Sequence, residues 1–272
     1  MVRFDAADGG QRVELAGRNV VVTGGAHGIG RALCERFVRE GAAHVTVVDL
    51  DGVGARAVAE AIGGTARALD VGDRDAMVAL VREVEAAEGP IDLFVSNAGI
   101  LIEGGPEVGV DAWERIYRIN VLAHVHAAHA VLPSMLARGE GYLLNTCSAA
   151  GLLSQIGSAP YAVTKHAAVG FAEWLAITYG DRGIKVSALC PQAVRTNMTA
   201  GIENGGVAGL DGMLEPDDLA EATVEGLRAE QFLILPHPSV RTYYARKGQD
   251  IDRWIAGMRR LQARFGDPGG GG

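Results

Sequence analysis

The sequence predicts an α/β fold, a mostly parallel doubly wound sheet with helices on both faces in a three-layer α/β/α sandwich. Three observations carry that expectation. From Arg18 onward, short β-branched runs alternate with longer helical patterns. The runs are nearly continuous in apolar residues, as strands buried on both faces are. A glycine-rich turn separates the first strand from the first helix, the position a phosphate-binding turn takes in such sheets.

Taken in order, Asn19 to Thr23 reads as the first strand and Ile29 to Glu40 as the helix after it. His44 to Asp49 is the next strand, and Gly54 to Ile62 its helix. Thr65 to Asp70 is a short strand before a helix over Arg74–Glu88. Ile91 to Ser96 is a buried strand, followed by a loop and one helix from about Asp111 to Met135. Gly141 to Thr146, a helix beginning near Pro160, and Ile184 to Leu189 continue the alternation. Residues 1–17 lack periodicity and are expected to form an N-terminal extension on the outside. Residues 18–265 are expected to form one domain, with 192–216 as a flap and 236–265 as a C-terminal extension. The Gly-rich tail, 266–272, is expected to be disordered.

Composition narrows the function classes. The chain has 272 residues, 48% of them hydrophobic, enough for a sizeable core. A net charge of -8 without a basic cluster argues against a nucleic-acid partner. No uninterrupted apolar run reaches the roughly 18–20 residues a bilayer requires, and the N-terminus lacks the basic and apolar regions of a secretory signal. Cys34, Cys147 and Cys190 are scattered and odd in number, which reads as small buried residues in a reducing compartment. A cytoplasmic protein is expected. His124, His126 and His129 invite a metal reading, but only His126 and His129 share a helical face, with no acidic or thiol partner at ligand spacing, so no metal is expected. Trp113 and Trp174 read as packing or subunit-contact residues on apolar helix faces.

Two stretches carry chemistry. The first is Thr23-Gly24-Gly25-Ala26-His27-Gly28-Ile29-Gly30, between a strand and a helix. Gly24, Gly28 and Gly30 let the backbone turn tightly, and the helix opening at Ile29 offers free N–H groups to a pyrophosphate. Asp49 closes the second strand beside Leu50. A carboxylate there accepts from both ribose hydroxyls and repels a 2′-phosphate, so NAD is the expected cofactor and NADP the less favoured one. The alternative for Asp49 is a helix cap, and His27 is a counterweight toward NADP. The second stretch runs from Ser148 to Lys165. Tyr161 and Lys165 stand four apart on a predicted helix and share a face. A phenol is ordinarily too weak an acid to serve as a base at neutral pH, and a nearby cation favours its phenolate. Ser148 can offer a hydroxyl to the same substrate oxygen.

From Arg18 to about Leu235 the chain resembles the short-chain dehydrogenase/reductase family in its compact single-domain branch. The residues that carry the resemblance are the glycine turn, Asp70-Val71, Asn97-Ala98-Gly99, Asn120, Ser148, Tyr161-Ala162-Val163-Thr164-Lys165, and Pro191 with Thr196. Gln192 departs from it, standing where the family more often has glycine. The resemblance implies a Rossmann-like, seven-stranded sheet and an NAD-dependent oxidoreductase interconverting an alcohol and a ketone. Tyr161 would exchange the hydroxyl proton while a hydride passes to the nicotinamide. Lys165 would favour the phenolate and hold the ribose, Ser148 orient the substrate, and Asn120 complete a proton relay from a local helix break. Asp70 and Val71 would meet the adenine, Asn97, Ala98 and Gly99 would make room at the sheet edge, and Pro191, Val194 and Thr196 would meet the nicotinamide. For Asp70 a cap on the following helix is the other reading. A homotetramer, or else a dimer, through helices 111–136 and 160–180 is likewise implied.

For the substrate, Met198, Ile202 and Met213 from the flap, with Gln192, face Ala150, Leu152, Leu153 and Ile156 across the expected pocket. Arg195 is the one cation in these segments, which disfavours an anionic substrate and favours an apolar or aromatic secondary alcohol. The C-terminal extension, with Tyr243, Tyr244, Trp254 and Met258, either caps the site or meets a neighbouring subunit. An NADP-dependent ketoreductase and a non-catalytic dinucleotide-binding regulator are the alternatives.

Overall fold

The structure, a computed structural model, describes residues 14–265. Seven strands form a single sheet in the order β3-β2-β1-β4-β5-β6-β7, and every neighbouring pair is parallel. The strands are β1 (Asn19–Thr23), β2 (His44–Asp49), β3 (Thr65–Ala68), β4 (Leu93–Ser96), β5 (Gly141–Thr146), β6 (Ile184–Leu189) and β7 (Leu233–Ile234). The helices are α1 (Gly28–Arg39), α2 (Gly52–Ile62), α3 (Arg74–Glu88), α4 (Val110–Tyr117), α5 (Ala123–Arg138) and α6 (Ala150–Leu153) in the first part of the chain. They continue with α7 (Ala159–Tyr179), α8 (Pro216–Arg228), α9 (Ser239–Gln249) and α10 (Ile251–Phe265). Chain order reverses between β1 and β4, and a cleft opens there at the strands' carboxyl ends.

Two hydrophobic cores lie on opposite faces of the sheet. One joins Phe37, Leu33 and Val58 to Val20, Val47 and Leu144, beneath α1, α2 and α8. The other joins Met77, Phe94, Val131, Met135 and Leu175, beneath α3, α5 and α7. Strand interiors face a core on both sides, which is why β1, β2, β4 and β5 are apolar almost throughout. Leu15 corrects the expectation of an outer wrapping for residues 1–17, because it is 3% exposed and belongs to the first core. The rest of that segment through Val13, and the tail 266–272, lie outside the described residues.

Local chemistry sets the element ends. Asp51 caps α2 by accepting from the Val53 and Gly54 N–H groups, and Asp73 caps α3 through Asp75 and Ala76. The cap role weighed for Asp70 therefore falls to Asp73. β3 stops at Ala68, two residues short of the expected end, and β4 starts at Leu93 because Asp92 turns to accept from the Asn19 N–H.

The predicted helix from Asp111 to Met135 is not continuous. A π-helical turn, Arg118–Leu122, separates α4 from α5, and such turns recur at functional sites. From Val110 to Arg138 the helical segment holds an 18-residue window of mean hydropathy 1.2, half of it buried in the protein. It is the one helix among the described residues long and apolar enough to cross a membrane. Here it packs on the sheet, carrying the buried polar Asn120 and His124.

Candidate active site

One cavity of about 760 Å³ runs along the carboxyl edge of the sheet. At one end it meets the turn after β1, at the other the segment 192–210 and the helices α9 and α10. Tyr161, Lys165 and Ser148 stand in its middle.

Ser158 starts α7 by accepting from the Tyr161 N–H at 3.3 Å, with Pro160 in the first turn. That fixes the helical phase of Tyr161 and Lys165. The Lys165 ammonium lies 5.6 Å from the centre of the Tyr161 ring. Lys165 is 3% exposed and donates to the Thr146 carbonyl, 3.0 Å away at the end of β5. Two residues on, Ser148 Oγ accepts from the Ala150 N–H at 3.1 Å. Asn120, in the π-turn, is fully buried. Its Oδ1 accepts from the Ile100 N–H and its Nδ2 donates to the Ile100 carbonyl, both at 2.9 Å, and also to Thr164 Oγ1 at 3.3 Å. Asn120 thereby pins the loop after β4 to α7. Gly99 in that loop backs directly onto the pair: a Cβ on it would stand 3.3 Å from Asn120 Oδ1 and 3.5 Å from Lys165 Nζ.

Behind Lys165, His124 Nδ1 lies 2.8 Å from Asn145 Oδ1. Burial, with the positive charge of Lys165, pushes His124 down to about 4, so it is neutral at physiological pH. The other two histidines of the apparent triplet have separate partners. His126 meets the Val71 carbonyl and His129 meets Arg74.

The glycine turn is shaped for a dinucleotide. Gly24 and Gly28 adopt positive φ, and a Cβ on Gly30 would come within 2.0 Å of the Gly24 carbonyl oxygen. His27 precedes α1 without a side-chain cap, and the first turn of α1 holds no carboxylate, leaving its N–H groups and dipole available to a pyrophosphate. Gly24, His27, Gly28, Ile29 and Gly30 line the cavity, followed by Asp49, Leu50, Asp70 and Val71. Asp49 accepts from the Ala26 and Asp51 N–H groups, at 3.0 Å each. His27 turns away to Asp51, 3.0 Å distant. Asp70 holds the Gly72 N–H and meets Arg118 at 3.3 Å. Asn97 Nδ2 donates to the Thr23 carbonyl at 3.0 Å and ties β4 to the turn. The residues present fit a nicotinamide dinucleotide.

On the far wall, Asp211 accepts from Ser239 at 2.8 Å and from Tyr243 at 3.0 Å. Burial pulls the Asp211 carboxyl upward, but bonds from Ser239, Gln192 and Tyr243 hold it below the usual carboxylate range. Gln192 donates its N–H to His237 Nδ1 at 3.2 Å. The flap and α9 are thus bonded together beside the site.

A protein-family model described as short chain dehydrogenase matches residues 18–205. The chain belongs to the short-chain dehydrogenase family. It is 33% identical over 257 residues to 1-deoxy-11-beta-hydroxypentalenate dehydrogenase of Streptomyces exfoliatus, covering 90% of this chain and 92% of the relative. It is 32% identical over 204 residues to 3beta-hydroxysteroid dehydrogenase 2 of Eggerthella lenta, covering 72% and 78%. The fold is also similar to a crystal structure of a putative NAD(P)-dependent gluconate 5-dehydrogenase from Beutenbergia cavernae with bound NADP at low occupancy. That match has a TM-score of 0.74 and 29% identity over 82% of this chain and 96% of that one. Short-chain dehydrogenases are oxidoreductases of the CH–OH group that bind NAD(P), and this chain is one of them.

Against that family frame, the expected residues divide cleanly. All four candidates for chemistry converge, and Asn97, Ala98, Gly99, Pro191, Val194 and Thr196 join them along the cavity, with Asn120 just behind its wall. Of the substrate wall, Ala150, Leu153, Gln192, Met198 and Ile202 line the cavity. Leu152, Ile156 and Met213 do not. Leu152 points into the core at 2% exposure, and Met213 lies under Gly205, where a Cβ would stand 3.0 Å from its Cγ. Ile156 is half-buried outside the wall. The C-terminal extension lines this chain's own cavity through Tyr243, Trp254 and Met258. Arg246 lines it too and had no signal in the sequence beyond a polar helix position.

Proposed function

We propose that this short-chain dehydrogenase uses NAD to interconvert an apolar or aromatic secondary alcohol and its ketone, with Tyr161 as acid and base. The observation that carries the reading is the Tyr161–Lys165 pair, with Ser148, in one cavity with the glycine turn. In oxidation the Tyr161 oxygen takes the hydroxyl proton, and in reduction it returns it. Lys165 holds a buried positive charge 5.6 Å from the centre of the Tyr161 ring, placed to offset charge that develops there as the proton moves. Ser148 Oγ hydrogen-bonds the substrate oxygen and fixes which face it presents. Asn120 holds the loop that carries Gly99 against Lys165, and in this reading it completes the proton relay. When bound, the dinucleotide supplies the hydride acceptor.

The NAD reading rests on Asp49, which lines the cavity at the end of β2, where a carboxylate would accept from ribose hydroxyls and repel a 2′-phosphate. Pairing of His27 with Asp51 supports it, because the turn's one basic side chain is already engaged. NADP is the competing cofactor, favoured by the gluconate 5-dehydrogenase neighbour. Leu153, Met198, Ile202, Val207 and Leu210 support an apolar substrate, as do relatives named for a hydroxysteroid and a hydroxypentalenate. We read the protein as a homo-oligomer, since α7 leaves Trp174 at 53% and Ile177 at 77% exposure. Its three buried free thiols suit a reducing, cytoplasmic setting.

The test is a panel of cyclic, benzylic and aliphatic secondary alcohols with NAD⁺ and NADP⁺, read by absorbance of the reduced cofactor. The expected result is turnover of bulky apolar alcohols with NAD⁺ ahead of NADP⁺. A preparation that binds NADH yet oxidises nothing across the panel, and reduces none of the ketones, would leave the regulator reading standing.

A further inference from the structure

Three basic side chains line the cavity: His27, Lys165 and Arg246. His27 is paired with Asp51, and Lys165 is held on the Thr146 carbonyl beside Tyr161. Arg195, the one cation expected near the substrate, lies outside the wall in an ion pair with Glu215 at 2.8 Å. Arg246 forms no ion pair among the described residues. The carboxylate that shares its wall, Asp211, already accepts from Ser239 and Tyr243.

The helix that carries Arg246 is fixed against the site. Lys247 Nζ donates to the Leu152 carbonyl at 2.6 Å, and Tyr243, one turn earlier, is tied to the flap through Asp211. The neighbouring wall is apolar, with Trp254, Met258 and Leu261 from α10 and Leu153 across the cavity. A guanidinium is charged at every working pH and presents a planar fork that matches a carboxylate with two parallel bonds. One unpaired fork on an otherwise apolar wall suits a single negative charge. A phosphate dianion would meet Asp211 in the same wall with only that fork to offset it.

We infer that Arg246 makes the site selective for apolar secondary alcohols that also bear a carboxylate. This rests on the oxidoreductase reading above and reverses the sequence-based expectation against an anionic substrate. That expectation considered only the flap and the segment after Ser148, whereas the cation arrives from the C-terminal extension.

The experiment compares hydroxycyclohexane carboxylates and (1-hydroxyethyl)benzoates with their primary amides, which match them in shape but carry no charge. For the wild type, Arg246→Lys and Arg246→Gln, the readout is the ratio of kcat/KM for acid over amide, with the NAD⁺ dissociation constant measured alongside. Arg246 is solvent-exposed at the cavity wall, so the wild type is expected to prefer the acid by about twofold to tenfold, the scale of a charge-assisted pair open to water. The ratio should fall to about one in Arg246→Gln and lie between in Arg246→Lys, which keeps the charge without the fork. A wild-type ratio near one, or one that survives Arg246→Gln, overturns the inference while leaving the dehydrogenase reading intact. An NAD⁺ affinity that drops with the variant, carrying acid and amide down together, assigns Arg246 to the cofactor and also overturns it. Turnover of neither acids nor amides, while the neutral secondary alcohols of the first panel are oxidised, also overturns it; silence on both panels defeats the secondary-alcohol reading instead.

Discussion

Lys165 is the one Lys, Arg, Asp or Glu buried among the described residues. An ammonium at 3% exposure is costly unless paired, and here it donates to one carbonyl and faces a phenol ring at 5.6 Å. In the proposed reaction Tyr161 is the group this charge would act on, and the burial that makes Lys165 expensive also keeps water from screening it. Tyr161→Phe removes the proposed proton acceptor and little of the cleft's shape. We expect kcat to fall by about a hundredfold to ten-thousandfold, with NADH binding preserved in a fluorescence titration. Loss of binding in step with activity would argue for a structural role. Asp49 works differently, because it already holds the Ala26 N–H of the glycine turn. Asp49→Ala should raise the NADP⁺ to NAD⁺ ratio of kcat/KM by at least about tenfold, the scale of one charge-assisted bond, and steady-state kinetics with both cofactors checks it.

At the scale of an element, the segment Val110–Arg138 shows why one helix became three pieces. Asn120 is a poor helix former that competes for backbone bonds, and burial forces its amide to find partners. It finds them in Ile100 and Thr164 through the widened turn Arg118–Leu122. Asn120→Ala leaves the Ile100 N–H and carbonyl without their partner. Stability in urea should drop by about 1–3 kcal/mol, and hydrogen exchange at Ile100 should accelerate. The C-terminal helices act as a wall in the same way. Tyr243 and Trp254 meet at a tilt of 43° with ring centres 6.5 Å apart, and both line the cavity. Trp254→Ala should raise KM for a bulky apolar alcohol by about tenfold, the order of a lost apolar pocket contact, with the NAD⁺ dissociation constant unmoved. A rise in both would place α10 over the cofactor instead.

At the scale of the whole molecule, the reversal of chain order between β1 and β4 helps collect residues from as far apart as Gly24 and Leu261 around one cavity. Global stability should register one buried group there. His124 has a folded value of about 4 against 6.5 for the free group. Between those values the unfolded chain binds a proton that the folded chain refuses, so stability is present above about pH 6.5 and declines as pH falls toward 4. The total is up to about 3 kcal/mol. Urea midpoints for wild type and His124→Gln should converge as pH drops from 7 to 4.5, and parallel curves would remove His124 from the account.

What the sequence determined by itself is whatever depends on neighbours in the chain. Alternation of buried runs and helices specified the α/β layers, and β5, β6 and α3 run between the very residues expected. Spacing of four on a capped helix put Tyr161 and Lys165 on one face, because helical phase is local. The glycine turn was legible for the same reason, since positive φ at Gly24 and Gly28 is a property of the backbone there. Asp49 was legible from its place at the end of the second strand, and resemblance to a known family supplied the rest of the site, including Asn120 and Asp70. Only the tertiary structure decided the substrate wall. Leu152 and Met213 look like wall residues in the sequence, yet packing turns both inward, while Arg246, 85 positions beyond Tyr161, arrives by the docking of α9 on α6. Side-chain direction between segments so far apart is set by which cores they share, and no local period records it.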